Sequence, residues 1–159
     1  MFLRSDHRLS REKKVRRYLT SEPGISLLLA AVNFEWTLGR AVRHLHLSSP
    51  GWLHANSELL SFIKKCSGLT RYKELWEKEV VGVRQCSSLH LIVCDWNAVM
   101  EAFMQRHVLV HGRDRYTKKM AEPHVEALIA GANDIDKFCE SLGCPLNARI
   151  PIRRRRAAA

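Results

Sequence analysis

Three side chains able to do chemistry, Arg106, His107 and His111, fall within six residues and are followed at once by Gly112. A guanidinium holds two oxygens of a phosphate in one plane, and an imidazole exchanges protons near neutral pH. Together they are the groups that phosphate-ester chemistry uses. Two other readings stand beside this one. Basic residues in the last turn of a helix interact favourably with its dipole, by about 0.3–1 kcal/mol each, and a glycine is a good helix stop. His107 and His111, at i and i+4, also make half of a metal site, but the sequence shows no evident third ligand.

The element that positions these residues has the strongest helical signal in the chain. Over 88–110, Leu89, Ile92, Val93, Trp96, Val99, Met100, Phe103 and Val110 fall within about 60° of one direction at the helical period. The spacing predicts a core-facing helix of about six turns. On that helix Arg106 and His111 lie on opposite edges of the stripe, about 140° apart. They do not converge on one phosphate. Two copies related by a two-fold axis remove the difficulty, because the Arg of one stripe then confronts the His of the other.

Elsewhere the pattern is also helical. Ser21-Glu22-Pro23-Gly24 has the chemistry of a helix start, and a helix over 24–46 is expected to follow. Ile25, Leu28, Leu29, Val32, Trp36 and Gly39 share one face of it, with Glu35 at the margin. Breakers at 47–55 lead to shorter helices over 56–66 and 70–81, and 82–87 is another break. A last helix over 122–142 is closed by Gly143 and Pro145. Residues 8–19 are helix-compatible but mostly charged, with few apolar anchors. No alternating run resembles a strand, so the fold expected is an all-α bundle of four to six helices. Its divisions are a basic segment 1–22, a helical domain 23–144, and a basic tail 145–159 expected to be disordered.

The net charge of +10 is concentrated at the ends. Residues 1–22 hold seven Lys/Arg against three acids, and 149–159 hold five Arg and no acid, which leaves the middle nearly neutral. Such ends suit a polyanionic partner. Cys66, Cys86, Cys94, Cys139 and Cys144 include no Cys-x-x-Cys pair and read as reduced cysteines of a cytoplasmic protein. No uninterrupted apolar run reaches the ~18–20 residues of a membrane helix, and no signal-peptide pattern opens the chain, so no membrane is expected.

Arg106-x4-His111, with a polar residue directly after the Arg and a glycine directly after the His, resembles the signature of HEPN domains. The resemblance spans about residues 24–143. It implies a helical bundle, often a ribonuclease of toxin–antitoxin or anti-phage systems, that works as a homodimer with its cleft on the two-fold axis. It also implies that Arg106 and His111 are catalytic and that His107 supports them. RNA carries its own nucleophile, so His111 would be the acid/base, Arg106 would hold the scissile phosphate, and no metal or other cofactor would be needed. Glu35 on the other long helix is a further supporting candidate, although an ion pair with Arg40 explains it as well. Arg113, Arg115, Lys118 and Lys119 follow the motif and are the candidate RNA contacts. A cognate antitoxin or regulatory protein would complete the set of partners. The alternative is a non-catalytic module of the same fold that binds RNA or protein.

Overall fold

The computed structural model describes residues 8–47, 61, 63, 68–82, 85–112 and 116–147. These form α1 (Arg8–Arg17), α2 (Pro23–Leu47), α3 (Leu69–Trp76, continued by a π-helical turn Glu77–Val81), α4 (Leu89–Ile92), α5 (Trp96–Val110) and α6 (Lys118–Ser141). No strand occurs among the described residues, and the fold is all-α. Cys66, Arg113, Arg115 and the arginine-rich tail lie outside them, as does most of the helix expected over 56–66.

The long helix α2 is the centre of the bundle. Pro23 occupies its first position, where a missing N–H costs nothing and the fixed φ suits the helix. By length and composition it is the one described helix apolar enough to cross a membrane, a property that reading uninterrupted runs alone did not show; most of it is buried within the bundle. Its buried face is made by Leu27, Ala30, Ala31, Phe34, Leu38, Ala41, Val42 and Leu45. This corrects the face expected from periodicity. Ile25 and Val32, read as part of the core stripe, are exposed, and Leu28 and Leu29 are half-buried. The helix is apolar nearly all round, so the pattern marks two faces. The packing selects the one with three alanines, which lets neighbouring helices approach closely.

That close approach is visible at Gly131 of α6. A Cβ there would lie 2.9 Å from the Phe34 ring and 3.0 Å from Val99, so α2, α5 and α6 meet where only a hydrogen fits. Phe34 also meets Phe103 edge-on at 5.7 Å between ring centroids. The start of α2 lies against the end of α5, since a Cβ at Gly24 would be 3.2 Å from Leu109. The two helices are therefore antiparallel.

The charged segment at 8–17 is a packed helix. Val15 is fully buried, Ser26 Oγ donates to its carbonyl, and Arg11, 2% exposed, donates from Nε to Asn33 Oδ1 at 2.9 Å. Arg11 also lies 4.2 Å above the Trp36 ring. Arg16 makes a two-pronged pair with Glu126 of α6, and Arg8 approaches Asp136 at 3.7 Å. The apolar anchors alone suggested weak attachment. Buried arginine chemistry supplies the rest.

At the far end of α2, His46 Nδ1 lies 3.2 Å from Glu79 Oε2. Trp76, fully buried, packs against Phe138 and donates its indole N–H to Ser87 O at 3.1 Å. The last helix starts earlier than expected, at Lys118, and takes Pro123 inside its second turn. It ends as expected at Gly143, whose φ of 70° is the left-handed geometry of a helix stop.

Candidate functional site

The helix carrying the motif is not the single rod expected over 88–110. Val93 is extended, and Cys94 N–H is held by Asp134 Oδ2 at 3.0 Å. Asp95 then caps a new helix by accepting from Ala98 N at 2.9 Å. The chain therefore runs as α4, a three-residue break, and α5. The apolar phase survives the break, which is why periodicity alone reads through it.

The expected stripe also divides by burial. Val99 and Phe103 are buried together with Ala102, and Trp96 is half-buried, but Met100 and Val110 are exposed. Met104 is 66% exposed and Val108 43%. The outer half of α5 thus presents Met100, Met104, His107, Val108 and His111 to one side, at spacings of four, three, one and three residues. An exposed apolar strip of this length on a helix is unusual unless something covers it.

His107 and His111 are both exposed, and their rings meet at 4.3 Å between centroids, tilted by 59°. The helix stops here: His111 N–H returns to His107 O at 3.1 Å, and Gly112 takes a φ of 108° that L side chains rarely adopt. Gly112 is thus the stop expected from its position. Arg106 lies on the other side of α5, turned toward the bundle and half-buried. Its Nε is enclosed and has no hydrogen-bond partner among the described residues. An enclosed guanidinium N–H without an acceptor is costly, by about 1–3 kcal/mol. The structure brings the two histidines together and leaves Arg106 about 100° from His107 and about 140° from His111 around the helix.

Glu35 is engaged elsewhere. Its Oε1 accepts the N–H of Gly68 at 3.1 Å, which ties the middle of α2 to the start of α3. Its neighbour Arg40 donates to Leu146 O and lies 5.3 Å from the Trp36 ring. Lys118 and Lys119 are exposed on the first turn of α6, a turn that holds no acidic residue. Cations there oppose the helix dipole, so their placement is not explained by helix stability. Arg113 and Arg115 lie between the motif and these lysines, outside the described residues. Among the described residues no group of three or more His, Cys, Asp or Glu is placed to hold a metal ion.

Met100, read in the sequence as part of the core-facing stripe, is exposed, and Met104 was not singled out there. Comparison of the chain with protein-family models, with curated proteins and with solved structures found no match.

Proposed function

We propose that this chain is a metal-independent endoribonuclease of the HEPN type, working as a homodimer. The observation that carries the reading is the exposed His107–His111 pair beside a half-buried arginine whose Nε has no acceptor. To hold a phosphate opposite His111, the Arg106 guanidinium would turn outward from the bundle. The two side chains diverge on one helix, so the Arg106 of a second copy would complete each site. Met100 and Val108, with Ile25 and Val32 on the neighbouring α2, offer that copy apolar surface to cover.

In the reaction, the 2′-oxygen attacks the adjacent phosphorus as the bond from phosphorus to the 5′-oxygen breaks. One imidazole takes the 2′-hydroxyl proton, and a protonated one returns a proton to the leaving 5′-oxygen. Arg106 balances the charge that grows on the phosphorane oxygens. His107 orients the phosphate or the facing imidazole. The product is a 2′,3′-cyclic phosphate, which DNA cannot form. Lys118 and Lys119, together with Arg113 and Arg115, guide the strand, so cleavage at low substrate concentration weakens as salt rises. Such an activity is toxic to its own cell unless a cognate antitoxin or a phage-dependent trigger controls it.

The test uses purified wild type, Arg106→Ala and His111→Ala with RNA and with DNA, all in EDTA. Wild type is expected to cleave RNA alone, and each variant to lose at least about a hundredfold in rate. Equal cleavage by all three, or none by any, rejects the assignment. Sedimentation that shows a monomer at every concentration rejects the shared cleft. The orientation of Arg106 toward the bundle favours a second reading, a non-catalytic module of the same fold. Salt-sensitive RNA binding without any cyclic phosphate product would select it.

A further inference from the structure

We propose that the outward face of α1 is a contact surface for RNA, where Lys13 and Arg17 hold the sugar–phosphate backbone of a strand that also crosses Lys118 and Lys119. The four cations belong to two helices, and the packing brings them toward one end of the bundle. α1 runs antiparallel to α6, since Arg8 approaches Asp136 while Arg16 pairs with Glu126. Its C-terminal end therefore points toward the start of α6, where the two lysines are exposed. The start of α2, which follows α1, lies against Leu109 of α5, so the His107–His111 pair is at the same end.

Arg11 and Val15 turn into the bundle, which leaves Leu9, Lys13, Arg16 and Arg17 on the opposite side at helical spacing. Together with Glu12 they line one open hollow. The acids at its rim, Glu12 and Glu126, are ion-paired with Arg8 and Arg16. Buried Arg11, bonded to Asn33, fixes the helix, so the cations are in place before a strand arrives and less freedom is lost on binding.

The chemistry of the surface selects the partner. Arg17 suits the dipole in the last turn of α1, but Lys13 lies before that turn, and Lys118 and Lys119 oppose the dipole of α6. Helix stability thus explains one of the four, whereas a polyanion explains them all. A lipid surface needs an apolar face beside the charges, and on α1 only Leu9 is a large exposed apolar residue. No aromatic ring lines the hollow to stack a base, so the contact is with phosphates and is independent of sequence. Three residues of α1 and then seven of α6 separate Lys13 from Lys119, about 15 Å at the helical rise. Four to five stacked nucleotides cover that length at about 3.4 Å each. Glu22 and Glu122, both exposed near this path, oppose the binding.

The inference rests on the strand-guiding role given to Lys118 and Lys119, and not on cleavage. The experiment therefore uses a fluorescent 2′-O-methyl RNA of about a dozen nucleotides, which has no 2′-hydroxyl to react, and reads anisotropy between about 50 and 200 mM salt. The double variant Lys13→Gln/Arg17→Gln is expected to bind about tenfold more weakly at the higher salt, and to lower the slope of log Kd against log salt by about 1.4. Lys118→Gln/Lys119→Gln is expected to behave alike, and Glu122→Gln to bind about threefold more tightly. Arg71→Gln/Lys73→Gln removes the same charge from α3, which packs beside Gly39 and reaches His46 in the other half of α2, and is expected to stay within about twofold of the parent. Circular dichroism is expected to show unchanged helicity in all of them. Parent-like binding by the α1 pair, with weakening in the α6 pair, overturns this inference and leaves the strand-guiding role intact. An equal loss in the α3 pair reduces the effect to net charge and overturns it too, and a parent that does not bind the strand overturns both. Tighter binding to phosphatidylserine vesicles than to the strand, lost in the α1 pair, would assign the face to lipid instead.

Discussion

Gly131 is the residue on which the packing of the three main helices turns. A methyl group there would press on the buried Phe34 ring at 2.9 Å and on Val99 and Val93 at 3.0 and 3.2 Å. None of these is the loose end of a flexible chain, so the ring and its neighbours would have to shift. In an open helix, Gly→Ala gains about 1 kcal/mol, whereas overpacking a close-packed core costs about 1–3 kcal/mol. The crowding wins here because three side chains crowd one position. Gly131→Ala is expected to lower stability by about 1–2 kcal/mol. Urea unfolding would show the midpoint falling; a midpoint that rises would mean that the core relaxes freely around the methyl group.

At the scale of elements, α1 shows how a charged helix is held. Its apolar contacts are few, but Arg11 is buried, hydrogen-bonded to Asn33 and stacked on Trp36. The Arg16–Glu126 pair is solvent-exposed and contributes at most about 1 kcal/mol. Arg11→Ala removes a charged hydrogen bond and leaves Asn33 without its donor, a loss of about 3 kcal/mol. Hydrogen exchange in α1 is expected to accelerate about a hundredfold while α2 and α6 stay protected. Uniform loss of protection across all helices would mean that α1 is not a separable unit. Helix existence was legible in the sequence almost throughout, from the start at Pro23 to the stops at Gly112 and Gly143. Helix faces were not. The apolar period of α2 fits two opposite sides, and only Ala30, Ala31 and Ala41 hint at which side receives a neighbour. The stripe on α5 is equally silent about whether its outer half is covered. The Arg106–His111 motif could be found by spacing, but the exposure of Met100 and Val110, both read as part of the buried stripe, shows only in the packing.

For the whole molecule, the response to acid is set by groups near the ends of the long helices. His44 is buried, and its pKa is lowered to about 4 by burial first, and then by repulsion from Arg40 and Arg43. The unfolded chain takes up this proton near pH 6.5, while the folded chain resists until about pH 4. Stability from this group is therefore complete above about pH 6.5 and falls as pH drops, by up to about 1.4 kcal/mol per pH unit. Asp136 has the opposite sign. Burial first, and then Glu140, raises its pKa against the pull of Arg8 and Arg11. Its folded form binds a proton before the unfolded form does, so acid favours folding through that group. The histidine begins to act at higher pH, and it dominates the upper part of the acid limb. Between pH 7 and pH 4.5 its expected share of the loss is about 2–3 kcal/mol. His44→Gln is expected to remove most of that share, whatever it does to stability at pH 7. Urea midpoints of both proteins at the two pH values give the comparison; equal losses would place the acid sensitivity elsewhere in the bundle.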